Sequence, residues 1–398
     1  MGIFKRVFIF LYGIGLKLDN TDSIHGHEYF DEATGAFIPP IFLSSMFEQR
    51  GPAKKSERGV DLKYSREENP TVMALEKVIS KLEGSEDSLC FNSGMAGISS
   101  VYLHYLKAGD NIVITSEAYG TSIKLAEDLA KFGVHTKKAY PSADDIVSKI
   151  DSETAIVFIE VMTNPTLKVI DIKQVSERTR KSGIKLIVDN TFLSPYNFKP
   201  IKNGADLSLE SLTKYISGHN DIIGGSVSGS RKNMLDIWEW RRMLGTILNP
   251  FSAYLALRGV KTLGVRMERH QENALKVAKY LASSSKVTDV MYPGLENNSY
   301  HNIAKRMFRG FGGVVSFRIK GGRDESIRVL KSLSLIKPSP SLGGTESIMT
   351  YPVLSASSSI NKMDREKLGI TDSLLRLSVG LEDAEDIISD LENAFSKI

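Results

Sequence analysis

The chain has 398 residues, 41% of them hydrophobic and 25% charged, and a net charge of +4. That length supports a large core and two or three domains. Its 51 basic and 47 acidic residues are interspersed without a basic block, so the balance gives no case for nucleic acid as a partner.

At the N-terminus, Lys5-Arg6 precedes an apolar stretch from Val7 to Leu16. It resembles the start of a signal peptide but lacks a small-residue cleavage site and is too short to span a bilayer. It reads as a docking arm or an upstream start-codon extension. No other segment is a membrane candidate, and the protein is placed in the cytoplasm. His25-Gly26-His27-Glu28 is too loosely spaced to argue for a metal, and none is expected. Residues 1–59 read as an arm with its own turn signals, including Pro39-Pro40.

From Tyr64 to Gly229 helical and strand patterns alternate. Thr71 to Lys81 carries a helical stripe, Val72, Leu75, Ile79 and Leu82, that stops at Gly84. Apolar strand-like runs follow at Leu89–Phe91, Ile112–Thr115, Ala155–Val161 and Ile184–Val188, the last after a polar helix, Gln174 to Lys181, with its stop at Gly183. Cys90, the single cysteine, excludes an intramolecular disulfide, fits a reducing compartment and reads as a small core residue. Short apolar runs separated by helices predict an α/β fold with a mostly parallel sheet covered on both sides, over residues 60–256. A long helical region, Ala256 to Leu281, opens a smaller α+β domain, residues 257–398. It continues with strand-like Gly313–Ile319, helical Glu325–Leu333, strand-like Leu374–Val379 and a helix from Asp383. Ser355–Ser359 reads as a loop.

Ligands of open α/β sheets bind beyond the carboxyl ends of the strands, so the residues after each run are the candidates. Asp189 follows Ile184–Val188, where an acid caps the next loop or pairs with a protonated ring nitrogen. Lys214 lies in Ser211-Leu212-Thr213-Lys214-Tyr215, flanked by hydroxyls and glycines. A lone lysine is ordinarily a surface residue, but one that attacks a carbonyl must be deprotonated, which desolvation or nearby cations favour. Ser211 and Thr213 suit a phosphate. Asn92-Ser93-Gly94-Met95-Ala96-Gly97 opens a helix whose free N–H groups suit a phosphate too, beside the plainer reading of Ser93 as an N-cap. Tyr119, after Ile112–Thr115, can stack on a flat ring.

These motifs together resemble the Cys/Met-metabolism family of pyridoxal-phosphate enzymes, which includes cystathionine γ-synthase, cystathionine γ-lyase, methionine γ-lyase and the homoserine sulfhydrylases. The resemblance runs from Thr34-Gly35-Ala36 and Pro39-Pro40 through Tyr64-Ser65-Arg66, Asn69-Pro70-Thr71, Ser93-Gly94-Met95-Ala96, Val188-Asp189-Asn190-Thr191-Phe192, Thr213-Lys214-Tyr215, Arg258-Gly259 and Ser341-Leu342-Gly343-Gly344 to Arg376-Leu377-Ser378-Val379-Gly380. It implies the fold type I architecture of pyridoxal-phosphate-dependent transferases, with pyridoxal 5'-phosphate as cofactor. It implies that Lys214 is the Schiff-base lysine, Asp189 the partner of the pyridine nitrogen, and Tyr119 the ring-stacking tyrosine that assists the leaving group. Gly94, Met95, Ser211 and Thr213 match the phosphate cradle, and Tyr64 and Arg66 match residues reaching the phosphate from a neighbouring subunit. Asn164, Ser341 and Arg376 match the carboxylate environment of an amino-acid substrate. The implied assembly is a homotetramer of two catalytic dimers, with the arm crossing between subunits. The implied chemistry is γ-replacement or γ-elimination, in which the freed lysine moves protons between neighbouring carbons.

The chain departs from the common members at several positions. Glu210 stands where a histidine precedes the Ser-x-Thr-Lys run, Lys63 and Pro340 stand where the cystathionine enzymes often carry acids, and Thr121 stands where methionine γ-lyases carry cysteine. Ser355-Ala356-Ser357 replaces the usual Met-Thr-His. These positions bear on substrate choice, with cystathionine γ-synthase or γ-lyase expected first and methionine γ-lyase or a homoserine sulfhydrylase next. An aminotransferase or a non-catalytic binding protein on the same fold is a more distant reading, and no Gly-x-Gly-x-x-Gly follows a strand to suggest a dinucleotide fold.

Overall fold

The computed structural model describes residues 19–27, 29, 31–32, 34–49, 58–59, 62–355, 357–358 and 360–398. The stretch read as a docking arm, Val7 to Leu16, lies outside them, as do Glu28 and Ala356.

Seven strands form the first sheet: β1 (Asp87–Phe91), β2 (Asn111–Thr115), β3 (His135–Ala139), β4 (Thr154–Glu160), β5 (Lys185–Asp189), β6 (Leu207–Glu210) and β7 (Gly225–Gly229). Their order is β1-β7-β6-β5-β4-β2-β3. β7 runs antiparallel to both neighbours, and the remaining pairings are parallel. Alternate residues of the central strands enter different hydrophobic clusters, Val157 and Val188 one, Phe158 and Ile187 the other. Burial on both faces is why these strands read as unbroken apolar runs.

The second sheet has the order β10-β11-β12-β9-β8, from β8 (Val287–Met291), β9 (Val314–Ile319), β10 (Lys337–Pro338), β11 (Ile348–Thr350) and β12 (Leu374–Ser378). It packs in its own hydrophobic cluster with the helix Ala384–Phe395.

The long helix expected over Ala256 to Leu281 is two helices, Pro250–Val260 and Leu263–Ser283, broken at Lys261-Thr262. The break lets the second helix serve both units: Leu263 and Met267 join the core of the first sheet, while Ala274, Val277 and Leu281 join that of the second. The expected boundary at 256/257 therefore falls inside the first of these helices.

The helix predicted over Thr71–Lys81 spans Pro70–Glu83 and ends at Gly84 in the left-handed region. Asn69-Pro70-Thr71 ties the preceding segment to it. Asn69 caps Thr71 N at 3.0 Å and donates to Phe42 O at 2.8 Å, and the Thr71 hydroxyl donates to Pro40 O at 2.8 Å. A short helix, Asp19–His25, is the one regular element among the described residues before this point.

Candidate active site

The parallel strands of the first sheet aim their carboxyl ends at one rim, and the sequence candidates converge there. Lys214 sits in a single π-helical turn, Leu212–Ile216, where its own φ of −95° and ψ of −127° leave helical geometry. That excursion turns its Nζ toward Ser341, whose Oγ accepts from it at 2.7 Å. Burial, then the nearby Arg376 guanidinium, lowers the Lys214 ammonium to about 8.

Arg376, on β12, is 1% exposed. It donates to Asn164 Oδ1 at 2.7 Å, to Ser341 O at 3.0 Å and to Thr350 Oγ1 at 3.0 Å. Its Nε is buried without a partner, an N–H left to receive an anion. Desolvation lowers the guanidinium to about 10. Lys214, Ser341, Asn164 and Arg376 thus form one contiguous set across the two sheets.

Asp189 ends β5 in register with Glu160 of β4. It is partly exposed and accepts from Thr191 N at 3.0 Å, while the Thr191 hydroxyl accepts from Ser211 N at 2.9 Å. Burial raises the Asp189 carboxyl and its bonds from Thr191 oppose that rise. Tyr119 is 46% exposed, and its N–H donates to Glu160 Oε1 at 2.6 Å. Burial and the neighbouring Asp189 hold the Glu160 carboxyl well above the usual range.

The helix Gly94–Tyr105, capped by Ser93, opens beside Ser211: a Cβ on Gly94 would lie 3.6 Å from Ser211 Cβ. First-turn amides have no carbonyl one turn back to bond, so those of Gly94 and Met95 are available to a phosphate. Thr213 is more committed than the sequence suggests, because its hydroxyl accepts from Gly224 N at 3.0 Å. Tyr64 and Arg66 do not join the set. The Arg66 guanidinium donates to Arg242 O and lies 5.7 Å from the Tyr64 ring centroid, and Tyr64 is exposed.

Three residues that motif reading passed over hold this arrangement. Arg266 donates to Tyr215 O at 2.7 Å, Ile216 O at 3.3 Å and Gly259 O at 2.8 Å, clamping the Lys214 turn. Glu160 carries Tyr119. Glu117, buried, takes the Thr163 hydroxyl at 3.0 Å and the Lys168 ammonium, and its carbonyl takes Asn164 N at 3.3 Å. A charge that ends a strand on an otherwise apolar run, as at Glu160, is the signal that marks such residues. A cavity of about 640 Å³, lined by Tyr140, Lys168, Tyr300 and Arg318 among others, does not include Lys214 in its lining. Among the described residues no three His, Cys, Asp or Glu side chains gather as a metal site, and no helix is long and apolar enough to cross a membrane.

A nucleophilic amine of lowered basicity, a carboxylate one strand away, a helix N-terminus beside Ser211 and an open tyrosine face fit pyridoxal phosphate. Together they define a carbonyl-cofactor site on a parallel α/β sheet. Residues 20–396 match the Cys/Met metabolism PLP-dependent enzyme model, and the chain belongs to that family. It is 42% identical over 379 residues to cystathionine γ-lyase of Sus scrofa, covering 94% of this chain and 92% of that protein. It is 39% identical over 382 residues to cystathionine β-lyase of Lactococcus lactis subsp. cremoris, covering 95% and 98%. The solved structure of cystathionine γ-synthase from Xanthomonas oryzae pv. oryzae in complex with cystathionine superposes with a TM-score of 0.90 at 36% identity, over 95% of this chain and 98% of that one.

Proposed function

We propose that this chain cleaves the Cγ–S bond of L-cystathionine by γ-elimination, releasing L-cysteine, 2-oxobutanoate and ammonia. The observation that carries this reading is the Lys214 amine, held by a neutral hydroxyl rather than a carboxylate and lowered to about 8 beside Arg376. An amine so placed is free to take a proton at one carbon and return it at the next.

Bound here, pyridoxal phosphate supplies an electron sink for negative charge at the substrate α-carbon. Lys214 would hold it and, when its amine is free, would move protons. Asp189 would keep the ring nitrogen protonated, Tyr119 would face the ring, and Gly94, Met95, Ser211 and Thr213 would bind the phosphate. Arg376 takes the substrate carboxylate as a two-pronged partner, with Asn164 and Ser341 fixing its plane. The exposure of Tyr64 and the outward contacts of Arg66 support their serving a neighbouring copy, in a homotetramer of two catalytic dimers located in the cytoplasm. The separate hydrophobic clusters support a three-part chain of arm, cofactor domain and C-terminal domain.

The second reading, γ-replacement joining an O-acyl-L-homoserine to L-cysteine, is favoured by Lys63 and Pro340, which supply no carboxylate for the distal ammonium of cystathionine. Purified, cofactor-loaded protein given L-cystathionine decides between them. Release of 2-oxobutanoate with cysteine supports the lyase. Pyruvate with homocysteine would move the cleavage to the β-carbon, and cystathionine made from O-acylhomoserine and cysteine without appreciable release from cystathionine would establish the synthase.

A further inference from the structure

The helix Pro70–Glu83 buries two glutamates, Glu76 and Glu83, spaced two turns apart toward the first sheet. Glu76 is neutralised: Arg241 reaches it at 2.5 Å, Arg58 at 3.2 Å and Cys90 N at 2.9 Å. Glu83 meets the opposite situation. It faces Glu210, which shares one face of β6 with Ser208, and both carboxyls are buried. The Ser208 hydroxyl lies against Glu83 and opposes its rise without completing a hydrogen bond to either oxygen. The cation acting on it is Lys199, whose ammonium is itself paired with Asp19 at 2.6 Å. Lys202 lies beside Gly84, at the end of the helix, and Asp189 adds negative charge from β5.

Two buried carboxylates without a cation of their own cannot both ionise at ordinary cost. Burial holds Glu83 at about 7 and pushes Glu210 well above the carboxylate range. Glu210 has one strong donor, Asn190 Nδ2 at 2.8 Å, and the same nitrogen donates to Phe198 O at 2.9 Å. Asn190 directly follows Asp189, and Ser211 directly follows Glu210. Glu210 therefore adjoins the expected phosphate ligand, and its donor Asn190 adjoins the expected ring-nitrogen partner.

We propose that Glu83 and Glu210 share one proton and that this singly charged acid pair is a positioning element, holding Asn190 so that Asp189 and Ser211 keep their places at the cofactor. The positioning half rests on the reading of Asp189 and Ser211 given above; the shared proton does not. Glu210, which departs from the family pattern, thereby acquires a function.

The folded chain keeps a proton here that the unfolded chain releases above the ordinary glutamate value. Stability should fall as pH rises from about 4.5 through about 7, and should go on falling above 7 for as long as Glu210 keeps the remaining proton. The test uses full-length, cofactor-free protein. Thermal midpoints of the native chain, Glu83→Gln and Glu210→Gln are followed from pH 5 to pH 8.5, and pyridoxal-phosphate affinity is measured for Glu210→Gln and Glu210→Ala. Either glutamine supplies an N–H to the remaining carboxylate, so both variants should lose part of the native pH slope. The difference from the native chain isolates the pair from Glu68 and Glu160, whose carboxyls are also raised. Glu210→Ala should weaken cofactor binding about tenfold, and Glu210→Gln, still accepting from Asn190, should stay within about twofold. Slopes parallel to the native one in both glutamine variants overturn the shared proton. Native affinity in Glu210→Ala overturns the positioning role. Should Glu210→Ala not fold, Asn190→Ala, which removes the link and keeps both acids, replaces it, and native cofactor affinity in that variant is the overturning result. Native protein that never takes the cofactor would instead sink the function proposed above, leaving the stability result to stand.

Discussion

Arg266 reaches Tyr215 from the far side of the lysine turn, its guanidinium donating to the Tyr215 carbonyl at 2.7 Å while further N–H groups take Ile216 O and Gly259 O. Three backbone acceptors around Lys214 thus depend on one buried side chain. Burial lowers this guanidinium to about 10, yet it remains charged at neutral pH.

Arg266→Ala would strand those carbonyls, at an expected cost of about 2–4 kcal/mol. Arg266→Lys offers a point charge in place of a fork and should recover part of that loss. Urea unfolding of cofactor-free protein measures both, and no loss in Arg266→Ala would refute the clamp.

The rate at which added pyridoxal phosphate turns the protein yellow should rise with pH and level off above about 8, because only deprotonated Lys214 attacks a carbonyl. Arg376 lowers this lysine, so Arg376→Gln should move the midpoint upward, toward the free-lysine value. A midpoint unchanged in Arg376→Gln would leave burial as the sole cause.

Gly343 has a φ of +77°, and a Cβ there would stand 2.8 Å from Tyr215 N. Gly343→Ala combines an unfavourable backbone with a collision against the Lys214 peptide. We expect cofactor affinity to fall at least tenfold while the second sheet stays folded, read by equilibrium dialysis beside circular dichroism. Full affinity would show that the turn yields.

Lys168 bonds Glu117 and also donates to Leu368 O at 2.8 Å, linking the first sheet to the C-terminal unit. Lys168→Met leaves the Glu117 carboxylate buried with hydroxyls alone, an expected loss of about 3–5 kcal/mol. Adding Glu117→Gln should restore part of it, and a double-mutant cycle by thermal unfolding reads the coupling. Strict additivity would mean that the pair contributes nothing jointly.

The strands legible in the sequence were those whose residues were apolar on both faces, such as Ile112–Thr115 and Ile184–Val188. β7 was illegible because Gly-Ser-Val-Ser-Gly is buried through small size rather than hydrophobicity, and β3 because His-Thr-Lys-Lys-Ala lies at an edge with much of its surface in water. The break at Lys261-Thr262 carries no proline and no side-chain cap, so the pattern ran through it. At the site, Lys214, Asp189, Arg376 and Ser341 were named because each lies in a quoted motif, and Asn164 through the resemblance alone; the structure brings Lys214, Ser341, Asn164 and Arg376 into one hydrogen-bonded set. Arg266 and Glu117 were not named, since their charges are consumed inside the protein, whereas Glu160 was marked by its place at the end of an apolar strand. Glu83 was within reach: it flanks the apolar stripe of its helix at a spacing of seven from Glu76, where hydrophobic residues belong.

Ser341 accepts from Lys214 at its hydroxyl and from Arg376 at its carbonyl, Lys214 lying just beyond the first sheet and Arg376 on the second. One loop residue thereby ties the Arg376 guanidinium, the proposed carboxylate partner, to the Lys214 amine. Substitutions at the adjacent Pro340, whose carbonyl also accepts from Arg376 at 3.4 Å, should therefore shift the Lys214 amine as well. Variants of this loop will trade selectivity against turnover rather than improve the two independently.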